Sequence, residues 1–284
     1  EPLVSIGLPV RNGELLIAEA LECLINQTYK NIEILVFDNC SNDATCSIVK
    51  EFMAKDSRIK LFRQYSNIGA IKNFESALNG ATGSFFMWRA YDDISSLNYV
   101  ELLLKALQGS PEKELAVPSV VTKRTQESLK RVVRPRLNGV FIGKGFFYKA
   151  VSFKRQQAGW FYGLYKKDSV LKAFGETFSR FHHPWASDHL FLSHFSLNGT
   201  VIGVEDAQLI LRLTGAAKEY DESKSCEKKL DLIRDYYPLL ANNISRSKAG
   251  FIEKIAIRLL AFYHLNRRVV KFPVLLKCYF KRKR

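Results

Sequence analysis

The hydrophobic and polar positions of this chain switch repeatedly between two periods. Residues 3–10 form a β-rich apolar run closed by Pro9, which predicts a strand, and Arg11-Asn12-Gly13 predicts a turn. Between Glu14 and Asn26, Leu15, Leu16, Ala18, Leu21, Leu24 and Ile25 recur at helical spacing. Residues 32–37 read as a second buried strand ending at Asp38. Asp43 then caps a helix running through Lys55, with Ile48, Val49 and Phe52 on its inner face. A third strand is expected over 59–62 and a helix over 70–79, stopped by Gly80 to Gly83. A fourth buried strand, 85–88, runs out into Arg89-Ala90-Tyr91-Asp92-Asp93. Strands alternating with helices predict an α/β fold with a mostly parallel central sheet.

Beyond residue 95 the pattern loosens. A helix is expected over 95–107, then a strand over 115–121 demoted at Pro118. Lys123 to Arg136 is polar and crowded with Lys130, Arg131, Arg134 and Arg136. It fits a solvated loop or hairpin, or a flap over an anionic acceptor. Residues 156–165, rich in Gly and aromatics, suit a strand passing close beneath a bound ligand; core packing explains the aromatics about as well. Residues 200–204 and 208–213 read as two strands. Long helical patterns run over 223–243 and 247–266, the second with Ile252, Ile255, Leu259 and Phe262 on one face.

Composition narrows the class. The chain has 284 residues, is 47% hydrophobic and carries 43 Lys+Arg against 28 Asp+Glu, a net charge of +15. That excess implies an anionic partner: phosphates, an acidic membrane face or nucleic acid. The 5 Cys lack paired spacing, so free thiols in a reducing compartment are expected. The first strand starts almost at once, which predicts no leader peptide, and no apolar run reaches the ~20 residues needed to cross a bilayer.

The candidate chemistry falls after strands, on one edge: Asp38, Asn67, Asp92 and Asp93. Two adjacent carboxylates are costly to hold together unless water or a cation intervenes. A turn or helix cap is the plain explanation of such a pair. At the end of a buried α/β strand, ligand binding gains weight, because crevices form beyond the strand ends. There is no Gly-x-Gly-x-x-Gly after the first strand and no Walker A Lys. Phosphates here need another cation, and a divalent ion on Asp93 supplies it. A second centre, His182 to Leu192, holds Asp188 before an apolar helical run. There the plain reading is a carboxylate favoured by the helix macrodipole. His182, His183 and His189 could ligate a metal but more often pack or hydrogen bond.

Residues 8–13, 36–45, 67–69 and 91–93 together resemble the family 2 glycosyltransferases of the GT-A fold. The resemblance implies a Rossmann-like nucleotide-binding sheet with a C-terminal helical extension. It implies a nucleotide-sugar-binding half over 1–95, an acceptor-binding half over 96–215 and a basic helical region over 216–284. It further implies an inverting hexosyl-type transferase using a nucleoside-diphosphate-sugar donor, UDP-linked by preference. Pro9 and Arg11 would flank the base, Asp38 would accept from its ring, and Asn67 and Lys72 would lie near base and ribose. Asp92 would touch the ribose, and Asp93 would bind Mg²⁺ or Mn²⁺ on the diphosphate. Asp188 would be the general base. Arg212 or Lys218 would serve the phosphates, and Trp160 is the candidate acceptor platform. The family's further Asp two residues before Asp92 is Ala90 here, Ser187 replaces its Glu, and no His follows Arg212.

The cations and aromatics of 267–284 fit a segment lying on an anionic membrane, or a docked helix with a solvated tail. A lipid-linked or polysaccharide glycan acceptor, and a place on the cytoplasmic face of the cell membrane, are expected with the first. Two rivals stand beside the transferase. One is a non-catalytic sugar-nucleotide-binding module, which retention of both Asp93 and Asp188 argues against. The other is a nucleic-acid binder, disfavoured because no RNP, KH or helix-turn-helix signature is present and the cations concentrate late in the chain.

Overall fold

The computed structural model describes residues 1–124, 127–135, 148–213, 225–266 and 273–274. Its elements run in the order β1 (Val4–Val10), α1 (Ile17–Ile25), β2 (Ile32–Asp38), α2 (Thr45–Lys55), β3 (Ile59–Arg63), α3 (Ala70–Asn79), β4 (Phe85–Trp88) and β5 (Ile94–Ser95). Then follow α4 (Tyr99–Gln108), β6 (Leu115–Arg124), β7 (Glu127–Val133), α5 (Tyr148–Arg155), a 3₁₀ helix (Ala158–Tyr162) and β8 (Leu164–Lys166). The last are α6 (Lys167–Phe178), α7 (Ser187–Asn198), β9 (Val201–Leu213), α8 (Cys226–Arg246) and α9 (Phe251–His264).

The described residues form two units. The first contains residues 1–135, 159–174 and 202–213 and holds the sheet, ordered β3-β2-β1-β4-β8-β6-β9-β5, with β7 paired to β6. The β3-β2-β1-β4 block is parallel, with Val10 opposite Asp38 and Asp38 opposite Arg63. β1 and β2 are buried along their whole length, as strands covered on both faces should be. Beyond β4 the sheet turns antiparallel through β8 and β6. Trp88 at the end of β4 is fully buried and stacks on Phe161, with ring centroids 4.6 Å apart and 13° between the ring planes. This is a rigid base for the loop that follows.

The second unit contains 148–158, 175–201 and the described residues from 225 onward. It is helical, and its core joins Phe153, Phe181, Leu190, Leu232, Tyr236, Leu240, Ile257 and Leu265. Pro238 sits inside α8 without ending it.

Some expectations are corrected. The stretch expected as a strand over 156–165 instead holds the 3₁₀ helix Ala158–Tyr162 and the start of the short β8, and between them Gly163 lies too close to the Ala116 carbonyl to carry a side chain. The two strands expected at 200–204 and 208–213 are one, β9. Pro118 does not interrupt β6. The residue capping α2 is Ala44, with Asp43 accepting from the Thr45 backbone at 3.0 Å. Cys23, Cys40 and Cys46 are free thiols, but Cys226 is disulfide-bonded. An odd cysteine count excludes complete pairing, not a single bridge. Lys218, Cys278 and most of the basic tail lie outside the described residues, as do Arg136 and residues 125–126 of the expected flap.

Candidate active site

Parallel strands end together, and the loops leaving them meet at one edge. At this edge the loop after β1 and the loop after β2 are sewn to each other. Asn12 N–H donates to Ser41 Oγ at 2.8 Å, Gly13 N–H to Thr45 Oγ1 at 2.8 Å and Asn42 N–H to Asn12 Oδ1 at 3.1 Å. Asn12 and Cys40 both take left-handed backbone, with φ of 53° and 59°. Strain of this kind persists only where surrounding bonds over-determine the conformation.

Asp38 is fully buried at the tip of β2. Its carboxylate accepts from Ser41 N–H at 3.1 and 3.3 Å and faces Arg63 Nε at 3.4 Å. Burial, and then a hydrogen bond to Asp38, push the neighbouring Cys46 thiol up to about 11. Next to Asp38, Asn39 performs a task that its sequence position did not reveal. Its buried amide donates to Asn67 Oδ1 at 2.8 Å and accepts from Ile68 N–H at 2.9 Å. That bridge holds the 67–69 loop over the strand end. Gly69 there has φ of 84°, a conformation open to glycine, and α3 begins at the next residue. Asn67, Lys72 and Arg11 are exposed and Pro9 is buried within β1.

The Asp92–Asp93 turn is built by strand pairing. β5 pairs antiparallel with β9, Ile94 opposite Ile210, so two residues on Arg212 comes to face Asp92. The Arg212 backbone N–H donates to Asp93 Oδ1 at 2.9 Å, and its guanidinium Nε donates to the Asp92 carbonyl. Nη1 pairs with Glu19 of α1, and Nη2 is buried with no partner among the described residues. Asp93 is 5% exposed. Burial first, then the Asp92 charge, push its carboxyl up to about 7; the Arg212 N–H and the charges of Arg89 and Arg212 pull the other way.

Arg89 went unnoticed in the sequence. It is 1% exposed, donates Nη2 to Ser95 Oγ at 3.0 Å and lies 4.8 Å over the Tyr99 ring. Its Nε and Nη1 are buried without partners among the described residues. No pattern at Arg89 distinguishes a buried guanidinium from a solvated one.

A divalent cation fits the donor set of this turn. Asp93 offers hard oxygens in a buried position where its negative charge is under-compensated, and Asp92 adjoins it. Among the described residues no group of three or more His, Cys, Asp or Glu side chains comes together. Coordination would therefore rest on one or two carboxylates, the number Mg²⁺ takes when substrate phosphates complete its shell. His182, His183 and His189 form no such group either; His183 Nε2 lies 3.0 Å from Asp235 Oδ2.

Asp188 belongs to the second unit, in the first turn of α7. Ala186 precedes that helix in left-handed conformation, φ 63°, and Ser187 Oγ donates back to the Pro184 carbonyl at 2.9 Å. The Asp188 side chain is 28% exposed, and its Oδ2 is 4.0 Å from His189 Nε2. Burial, and then the Asp188 charge, raise the Tyr236 phenol far above its usual range. Trp160 is fully buried in the first unit, so an acceptor role would require its ring to become accessible.

Comparison with known proteins then assigns the class. The fold is GT-A, an α/β nucleotide-binding architecture. The model of glycosyl transferase family 2 matches residues 5–173, and the chain belongs to that family; it is a glycosyltransferase. An uncharacterized glycosyltransferase of Haemophilus influenzae is 26% identical over 94% of this chain and 82% of its own length. Further curated glycosyltransferases match over shorter stretches, and the chain spans 15% to 40% of their lengths. S. aureus TarS 1-349 in complex with UDP-GlcNAc superposes with a TM-score of 0.67 at 20% identity, covering 98% of this chain and 79% of TarS 1-349. The mannosyltransferase PcManGT from Pyrobaculum calidifontis, in complex with GDP-Man and Mn2+, gives a TM-score of 0.56 at 17% identity, over 99% and 87%.

Proposed function

We propose that the chain transfers a sugar from a nucleoside-diphosphate sugar, UDP-linked by preference, to an acceptor hydroxyl with inversion at the anomeric carbon. The observation that carries this reading is the buried Asp93, gripped by Arg212 beside Asp92, on the strand-end edge that also holds Asp38 and the Asn39–Asn67 bridge. The UDP-GlcNAc and GDP-Man complexes of structures with this fold support a nucleoside-diphosphate donor.

In this reading residues 1–95 form the donor half, 96–215 the acceptor half and 216–284 a basic helical region. Asp38 accepts from the base ring, with Pro9 and Arg11 flanking it and Asn67 and Lys72 near base and ribose. Asp92 meets the ribose. Arg212 braces the turn, and its Nη2, without a partner among the described residues, is the atom left for a phosphate oxygen. Mg²⁺ or Mn²⁺ held by Asp93 would offset the charge that grows on the leaving diphosphate. Asp188 takes the proton of the acceptor hydroxyl as its oxygen bonds to C1. The bond from C1 to the diphosphate oxygen breaks, and its electron pair leaves with the nucleoside diphosphate. A positioned base of this kind contributes about 10² to 10⁴ in rate. The acceptor is a glycan, lipid-linked or part of a polysaccharide, reached by peripheral contact with the inner face of the cell membrane.

A thermal-shift screen of UDP, GDP and their sugars, with and without Mn²⁺, tests the donor assignment. UDP compounds with Mn²⁺ should raise the melting temperature most, since a ligand bound only by the folded state stabilises it. No shift with any nucleoside diphosphate would overturn the assignment.

A further inference from the structure

Helix α9 carries two apolar surfaces, and the second unit uses one of them. Ile257, Ala261 and Leu265 are buried in its core beside Leu240 and Ile244 of α8. Glu253 fixes the same side: its Oε1 accepts from the backbone N–H of Lys149 at 3.0 Å and of Ala150 at 3.3 Å, and its Oε2 pairs with Lys149 Nζ at 3.6 Å. The other surface faces outward. Phe251 is 80% exposed, Ile252 59%, Ile255 44% and Leu259 71%, and Phe262 and Tyr263 continue the stripe, also exposed. At about 100° per residue these positions fall within an arc of about 120°, opposite the buried one.

A stripe of this size on a helix calls for a covering surface. Charge identifies its chemistry. Glu253, the single acidic residue of α9, is buried and paired, whereas the exposed Arg258 borders the stripe; Lys254 turns to the docked side, its Nζ donating to the Ser245 carbonyl at 2.8 Å. The sequence that follows, 267–284, holds Arg267, Arg268, Lys271, Lys277, Lys281, Arg282, Lys283 and Arg284 and no Asp or Glu. Cations beside an apolar stripe disfavour pairing with a second copy, which would set like charges together. They favour an apolar phase bordered by anions. Among the described residues no helix is long and apolar enough to cross a membrane, so such a helix lies in the interface plane.

We infer that α9 docks on an anionic lipid bilayer, with Phe251, Ile255 and Leu259 among the upper acyl chains and Arg258 at the headgroups. This deepens the membrane contact proposed above by assigning it to one face of one helix. It needs nothing from the donor chemistry, because vesicle binding is read without turnover.

The test is co-sedimentation of the full chain with vesicles of phosphatidylcholine alone or mixed with phosphatidylglycerol. The chain should pellet with the mixed vesicles far more than with the neutral ones. The combined variant Phe251→Ser, Ile255→Ser, Leu259→Ser should lose at least about tenfold of that affinity, since each side chain gives up the transfer of a large apolar group. Its melting temperature and nucleoside-diphosphate binding should not change, because all three side chains are exposed. Arg258→Glu should weaken binding to the mixed vesicles selectively. Equal pelleting with neutral vesicles, or a triple variant that binds like the parent, would overturn the inference. So would loss of self-association in the triple variant without any vesicle binding, which would make the face a contact between copies.

Discussion

Arg212 and Asp93 lie 119 residues apart in sequence, and the backbone N–H of the first donates to the carboxylate of the second at 2.9 Å. The Arg212 side chain then holds the Asp92 carbonyl and pairs with Glu19, so one residue ties β9 and α1 to the acidic turn. The side chain is 10% exposed while that of Glu19 is 63% exposed, and the two halves of the brace should differ in value.

Arg212→Ala leaves the backbone bond in place and removes the rest. It should lower donor affinity in Mn²⁺ by about tenfold and stability by about 1–3 kcal/mol, the cost of stranding a buried acceptor. Glu19→Gln, at an exposed partner, should cost at most about 1 kcal/mol. Titration calorimetry and urea unfolding measure both. Donor affinity unchanged in Arg212→Ala would remove the residue from the site.

Asn39 is 4% exposed, and its side chain is the bridge between β2 and the 67–69 loop. Asn39→Ala should destabilise the protein by about 1–3 kcal/mol because it leaves the Ile68 N–H without its acceptor. Amide exchange at Ile68 and Gly69 should accelerate while the β1 amides stay protected. Equal protection of the loop in the variant would show that the bridge is dispensable.

Glu33 sets a pH dependence of stability separate from the site. Burial alone would raise its pKa, but hydrogen bonds from Ser5 and Thr82, side chain and backbone, with the Lys60 charge, hold it below its usual value. A depressed carboxylate stabilises the fold above its unfolded pKa, near the ordinary carboxylate value, and that contribution disappears as pH falls through the folded one. The parent should therefore lose stability across this acidic window. Glu33→Gln should be less stable at neutral pH and show a flatter acid limb in urea unfolding. Parallel pH profiles for the two proteins would contradict the assignment.

Local pattern made much of residues 1–95 legible. Residues 70–79 and 85–88 were read with the bounds they have, because glycines at 69, 80 and 83 punctuate them and their apolar positions keep one period. Asp38, Asp92 and Asp93 stand out as candidates from their places after buried strands, and the structure shows Asp38 and Asp93 buried at those strand ends. What sequence could not reveal depends on distant partners. The burial of Arg89 and the grip of Arg212 on Asp93 arise from pairing between β5 and β9, over a hundred residues apart. The aromatic run at 156–165 resembled a strand because a 3₁₀ helix buries the same residue types. In α9 the periodicity showed apolar residues at Ile252, Ile255 and Leu259, but only packing reveals that Ile257 and Ala261 form the docked side.

The central claim is that a donor site on the strand-end edge works with a proton acceptor at Asp188. Measuring glycosyl transfer and calorimetric donor affinity side by side for Asp188→Asn tests it most directly. The account predicts transfer reduced by about 10² or more, with donor affinity in Mn²⁺ unchanged. Transfer at the parental rate, or equal loss of transfer and donor binding, would contradict it.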